Sequence, residues 1–250
     1  MEPLLTWTML VAAAFLGGGI NAVAGGGSFF TFPALVWAGV PPVAANASGT
    51  MALLPGYMAS TWGFREDLKA PEQLSMAAVL ATSLIGGSLG AGLLLITPDA
   101  VFSDIVPWLL LAATLLFALG PRLLRNLNTS GGESRPGVQI TALLAVCIYG
   151  GYFNGGLGIV LLATFGLLGH TGLNRMQGLK NLISAVLTAI AVALYAIGGA
   201  IIWIKALVMM ISAVAGGYVV ARVARKLPEA TIRAVVIVTG AIMTAVFFLN

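Results

Sequence analysis

The chain has 250 residues, of which 59% are hydrophobic and only 8% charged, and its mean hydropathy is +1.02. A soluble domain carries about 25% charged residues, so this composition excludes a water-soluble globule. The net charge of +4 comes from basic residues at the ends of apolar stretches. No Lys/Arg run is dense enough for a nucleic-acid footprint, and no nucleic-acid partner is expected.

In chain order, the first apolar segment covers residues 3–24. No basic residue precedes it, so it reads as a retained span rather than a cleaved signal. It ends in Gly25-Gly26-Gly27, and residues 29–40 form an apolar piece too short to cross about 30 Å of hydrocarbon as a helix. Pro41-Pro42 stops that piece; a span over residues 44–64 and the polar loop Arg65 to Lys69 follow. Spans at 71–96 and 101–120 lead to a polar linker, residues 121–137, with Arg122, Arg125, Glu133 and Arg135. The second half opens with an apolar stretch, 138–153, broken at Asn154-Gly155-Gly156-Leu157-Gly158 and followed by the short piece 159–168. Three more spans are expected at 176–197, 200–221 and 231–249, with a basic loop at 222–233 between the last two.

Lys and Arg excess marks cytoplasmic loops. That rule puts the Arg65/Lys69 loop, the linker, Arg175 and the 222–233 loop inside, and the turns near Thr97 to Asp104 and Gly198-Gly199 outside. The expected fold is an all-α polytopic membrane protein of two repeats, residues 1–120 and 138–250, joined by the cytoplasmic linker. Each repeat has a broken or re-entrant helix pair and three full transmembrane helices. A shift of about 131 residues lays Gly25 on Gly156, Gly27 on Gly158, Asn46 on Gln177 and Thr50 on Asn181. The charge pattern reverses the long spans between the halves, which is the inverted repeat of many secondary transporters.

The glycine breaks carry the functional reading. Interrupted backbone at membrane depth is tolerated where protein surrounds it or a water-filled cavity runs beside it. Short helices starting at Gly25, Gly26, Gly27 and Ser28, and at Asn154, Gly156 and Gly158, would aim amides and positive dipole ends at an anion. The same glycines could instead serve close helix packing or surface loops.

Among polar residues, Asn46 and Thr50 share a helix face; Asn46 reads either as a helix cap or as a substrate contact. Gln177, Lys180 and Asn181 hold the equivalent place in the second half. Lys180 inside a span either snorkels to the inner surface or faces a cavity and complements an anion. His170 is the single histidine and is expected in a surface loop, while Asp99 and Asp104 should face water. The G-x-S-x-G match at Gly86 to Gly90 lies inside a span, so it reads as a helix-contact face and not a hydrolase elbow. Cys147 is the single cysteine, which leaves no disulfide or multi-cysteine metal site.

The run Gly25-Gly26-Gly27-Ser28-Phe29-Phe30-Thr31-Phe32-Pro33-Ala34-Leu35, then Gly39-Val40-Pro41-Pro42-Val43-Ala44-Ala45-Asn46, resembles the first signature of the sulfite exporter TauE/SafE family. The resemblance implies repeated helical halves and transport of sulfur-containing anions such as sulfite or organosulfonates. The second half departs from the family pattern, with Gly156-Leu157-Gly158-Ile159-Val160 and no proline before Pro228.

The expected function is a secondary transporter or permease for a small anion, working by alternating access in a bacterial-type inner membrane. Its partners are the anion and the lipid bilayer. No cofactor is expected, and no G-x-x-x-x-G-K-[ST] motif supplies nucleotide energy. An intramembrane enzyme would need a base or metal set that one His and one Cys do not provide. A channel or a non-transporting assembly protein remains as an alternative; the paired breaks argue against the assembly protein.

Overall fold

The structure, a computed structural model, describes residues 3–71, 73–127, 135–170, 172–224 and 229–249. Residues 128–134 of the expected linker and 225–228 of the basic loop lie outside the described residues. The helices are α1 (Pro3–Ala24), α2 (Ser28–Trp37), α3 (Pro42–Gly63), α4 (Met76–Ile96), α5 (Asp99–Leu127), α6 (Pro136–Tyr152), α7 (Leu157–Leu167), α8 (Leu173–Ile197), α9 (Trp203–Ala224) and α10 (Glu229–Leu249). No strand occurs among the described residues. Within α1, α4 and α8, runs of 19 to 23 residues are long and apolar enough to cross a membrane.

Local chemistry sets the boundaries. Pro42 and Pro136 occupy first-turn positions, where a missing N–H costs nothing. Ser75 caps α4 by accepting the Ala78 amide at 3.1 Å. The short helices α2 and α7 end in the same stop: Val40 N bonds Leu35 O at 3.0 Å and His170 N bonds Phe165 O at 3.0 Å, each across a left-handed glycine. Helix α5 runs to Leu127, so residues 121–127 of the expected linker are helical; Arg122, Leu123, Leu124 and Arg125 are good helix formers.

Two parallel pairs frame the bundle. Ser212 Oγ donates to Val11 O at 2.7 Å, and a methyl group on Gly216 would come 1.9 Å from Phe15 O, so α9 lies directly on α1. A methyl on Gly86 would meet Cys147 Cβ at 2.4 Å and one on Gly90 would meet Ile148 O at 2.1 Å, so α4 lies equally close on α6. Lipid gives helices no hydrophobic reason to associate, and small residues supply close backbone packing instead. The Gly86 to Gly90 run is therefore the helix-contact face its sequence suggested. Gly216→Ala is expected to cost about 3 kcal/mol, the upper end of ordinary overpacking, by forcing the seam apart. Gly92→Ala, with nothing within 4 Å of the added carbon, should be neutral or slightly stabilising; thermal unfolding in detergent compares the two.

Several packing pairs repeat under exchange of α1–α5 with α6–α10. Pair α1/α9 maps onto α6/α4, α3/α9 onto α8/α4, and α2/α10 onto α7/α5, while α3/α8 and α5/α10 map onto themselves.

Helices α1 and α2 fold back as a hairpin, since a methyl on Gly17 would meet Gly27 O at 2.9 Å and Thr31 Cγ2 at 3.1 Å. This hairpin opens where Lys205 Nζ donates to Ala38 O (3.1 Å) and Val43 N donates to Asp99 Oδ1 (2.8 Å). Helices α6 and α7 open at the other end, where Gln139 and His170 share a pocket with Pro71 and Leu74. At that end the Arg175 guanidinium also donates to the carbonyls of Lys69 and Ala70. At ten residues, α2 rises about 15 Å, half a hydrocarbon core.

Candidate functional site

The tips of the two hairpins meet in the interior. Helix α1 ends at Gly25, whose φ of +77° is left-handed, and the chain turns through Gly26 and Gly27 into α2. The second tip turns through Gly156, φ +70°, into α7. A methyl on Gly25 would lie 2.9 Å from Gly158 Cα, and one on Gly158 would lie 3.0 Å from Gly25 Cα. The two backbones are in van der Waals contact, which only glycine at both places permits. Two helix starts are thereby brought together, and helix starts leave amides without intrahelical acceptors.

Lys180 lies against this contact. It is 1% exposed, and its Cδ would be 3.3 Å from a methyl on Gly158. The side chain is thus packed in the interior instead of snorkelling to the Arg175 end. No carboxylate pairs with it among the described residues, where the ion pair found is Arg65–Glu66 at the surface. A buried cation and two helix starts thus concentrate positive potential at one place.

Hydrogen bonds hold the second tip in place. Asn46 Nδ2 donates to Tyr152 O at 3.0 Å, and Ser28 Oγ donates to Asn154 O at 3.3 Å. Tyr57 OH donates to Asn154 Oδ1 at 3.0 Å, and Asn154 Nδ2 donates to Thr188 Oγ1 at 3.5 Å. Tyr195 OH donates to Gly151 O. An aromatic cluster packs nearby: Phe32 lies edge-on to Phe153 at 5.9 Å, and Phe102 edge-on to Tyr152 at 5.5 Å.

The expected site residues therefore divide. Gly25, Gly26, Gly27, Ser28, Asn154, Gly156, Gly158 and Lys180 form or adjoin the tips, and all are buried. Asn46 does not cap α3, whose N-cap is Pro41; its amide ties α3 to the end of α6. Thr50 and Asn181 are buried and Gln177 is half-buried, but the described contacts do not bring these three to the tips. His170 is 7% exposed rather than a surface residue, because Phe165 packs edge-on at 5.6 Å. Asp104 is exposed as expected, and exposed Asp99 also accepts the Val43 amide.

Sequence reasoning missed Tyr57, Thr188 and Ser184. Tyr57 and Asn154 are 97 residues apart, so no local spacing signals their bond. The stripe Lys180, Ser184, Thr188 at four-residue steps on an apolar helix was the available clue. Tyr57→Phe should lower stability by about 1–2 kcal/mol, since it leaves Asn154 Oδ1 without its buried donor; the unfolding midpoint in detergent measures this. Among the described residues no cluster of His, Cys, Asp or Glu could hold a metal ion.

A family model described as sulfite exporter TauE/SafE matches residues 10–247. The chain is 32% identical over 226 residues to a probable membrane transporter protein of a Sinorhizobium species, covering 86% of this chain and 82% of the other. It is 27% identical over 246 residues to a probable membrane transporter protein of Haemophilus influenzae, covering 95% and 92%. It is also 27% identical over 253 residues to the probable membrane transporter protein YfcA of Escherichia coli, covering 98% and 90%. No solved structure matches the chain at a significant level.

Proposed function

Because the chain belongs to the sulfite exporter TauE/SafE family and is an integral membrane transporter, we propose that it carries a small anion across the membrane by alternating access. The observation that carries this reading is Lys180, 1% exposed, packed where Gly25 and Gly158 touch. An unpaired cation in a membrane interior is costly and marks a substrate or ion path. The first turns of α2 and α7, at Gly26 to Ser28 and at Gly156 and Gly158, would donate amides to the anion while Lys180 balances its charge. Asn46, Ser28 and Asn154 would position the tips. Thr50, Gln177 and Asn181 would line the approach along α3 and α8.

The halves 1–120 and 138–250 would act as inverted repeats joined through residues 121–137. Packing pairs that exchange between the halves support this, as do hairpins that open at opposite ends. The end with Arg65, Lys69 and Arg175 would face the cytoplasm. Rocking one half against the other about the paired tips would expose the anion to each side in turn. The substrate class follows the family: a sulfur oxyanion or an organosulfonate.

Reconstitution tests this. Proteoliposomes are assayed for uptake and counterflow of sulfite, an organosulfonate, a carboxylate and chloride. Saturable counterflow of a sulfur-containing anion is expected. Flux that never saturates and shows no counterflow would indicate a channel. No movement of any anion by folded protein would overturn the reading.

A further inference from the structure

The charge balance of the site bears on how the carrier returns after unloading. The described carboxylates sit at helix ends: Glu66 and Asp67 lie in the turn after α3, Asp99 and Asp104 at the opening of α5, and Glu229 at the start of α10. Among the described side chains none of them pairs with Lys180. The α8 face that carries Lys180 continues with Ser184 and Thr188, both 0% exposed and neither an acid. Ser184 Oγ has no hydrogen-bond partner and Thr188 Oγ1 is occupied by Asn154. The two helix starts at the tips add positive partial charge in the same place.

Among the described residues the formal charge of a vacant site is thus +1, that of Lys180, and one monovalent anion cancels it. Alternating access requires a state in which both sides are closed. Closing over a bound anion strands no charge, whereas closing over a vacant site would leave an unpaired ammonium dry in low dielectric. We infer that the carrier closes only when loaded, so that it is an obligate exchanger of monovalent anions: one anion leaves for each that enters. The inference rests on the anion-carrier reading and deepens it by naming the mode of transport and the charge of the substrate.

The full chain is reconstituted into vesicles holding either methanesulfonate or hydrogen sulfite at mildly acidic pH, or only impermeant gluconate. Influx of the same labelled anion is then followed. Influx into anion-loaded vesicles should exceed influx into gluconate vesicles by at least about tenfold. An imposed membrane potential or pH gradient should not raise influx into the gluconate vesicles. In Lys180→Gln the residual flux should lose its dependence on internal anion, because the vacant site is then neutral. Equal influx in both vesicle types would overturn the inference while leaving the anion carrier intact. So would uptake into gluconate vesicles driven by a pH gradient, which would mean that Lys180 sheds its proton and couples the anion to protons. No influx in either vesicle type would overturn the anion-carrier reading itself, and the exchange inference with it.

Discussion

Lys180→Met is expected to lower saturable anion transport by about 100-fold while leaving the protein as stable as the parent or more so. Both halves of that expectation follow from the burial of the side chain, which is 1% exposed. A methionine keeps most of the stem volume that packs on Gly158 and removes the charge. Replacing a buried ion pair by apolar groups of similar volume is often neutral or stabilising by about 1–4 kcal/mol, and an unpaired buried charge has still less attraction to lose. Transport should respond in the opposite sense. A hydrogen bond to a charged group is worth about 1.5–3 kcal/mol, which is roughly a 10- to 150-fold change in binding. Lys180→Arg should rescue only in part, because the stem already lies 3.3 Å from where a Gly158 methyl would be and a planar fork needs more room. Uptake measured with the three proteins at equal reconstitution checks this. Parent-like uptake by Lys180→Met would mean that the cation serves packing or topology and not the anion.

How much of this was legible in the sequence depends on what each residue answers to. The glycine breaks were legible, because few sequences place Gly25-Gly26-Gly27 or Gly155-Gly156 in an apolar stretch unless the helix must stop there. The helix starts were legible at Pro42 and Pro136, since proline fixes φ and lacks a donor. The burial of Lys180 was not, because a lysine so close to Arg175 in sequence can equally snorkel to the surface. What decides is the second hairpin, whose Gly158 comes under the Lys180 stem from residues 22 positions earlier. Asn46 was read as a cap or a ligand because both are local roles. Its partner, the Tyr152 carbonyl, is 106 residues away and is available because α6 ends there. His170 looked like a loop residue by its glycine neighbours, Gly169 and Gly172; it is buried because the stop after α7 turns it back onto Phe165.

Gly25→Ala is expected to reduce transport to about 1% of the parent and to destabilise the fold, the second large effect. Gly25 has two separate reasons to be glycine. Its φ of +77° costs an L residue about 1–2 kcal/mol. Its added carbon would lie 2.9 Å from Gly158 Cα, a backbone atom that cannot rotate away. Spreading the tips to make room adds about 1–3 kcal/mol of overpacking. Gly158→Ala meets the same contact from the other side, at 3.0 Å from Gly25 Cα, but α7 is helical there and no left-handed strain is added. Gly158→Ala should therefore be the milder of the two in stability and comparable in transport, because both move the same pair of helix starts. One spreading of the tips serves both substitutions, so the double variant should cost clearly less than the sum of the singles. Gly56→Ala is the control: its added carbon meets only Asn21 Nδ2 at 3.9 Å, and it should transport normally. The four proteins are compared by unfolding in detergent and by counterflow. If Gly25→Ala moved anions as the parent does, or if the double variant cost the full sum, the two tips would not be acting as one site. The anion would then have to be held by Lys180 and α8 alone.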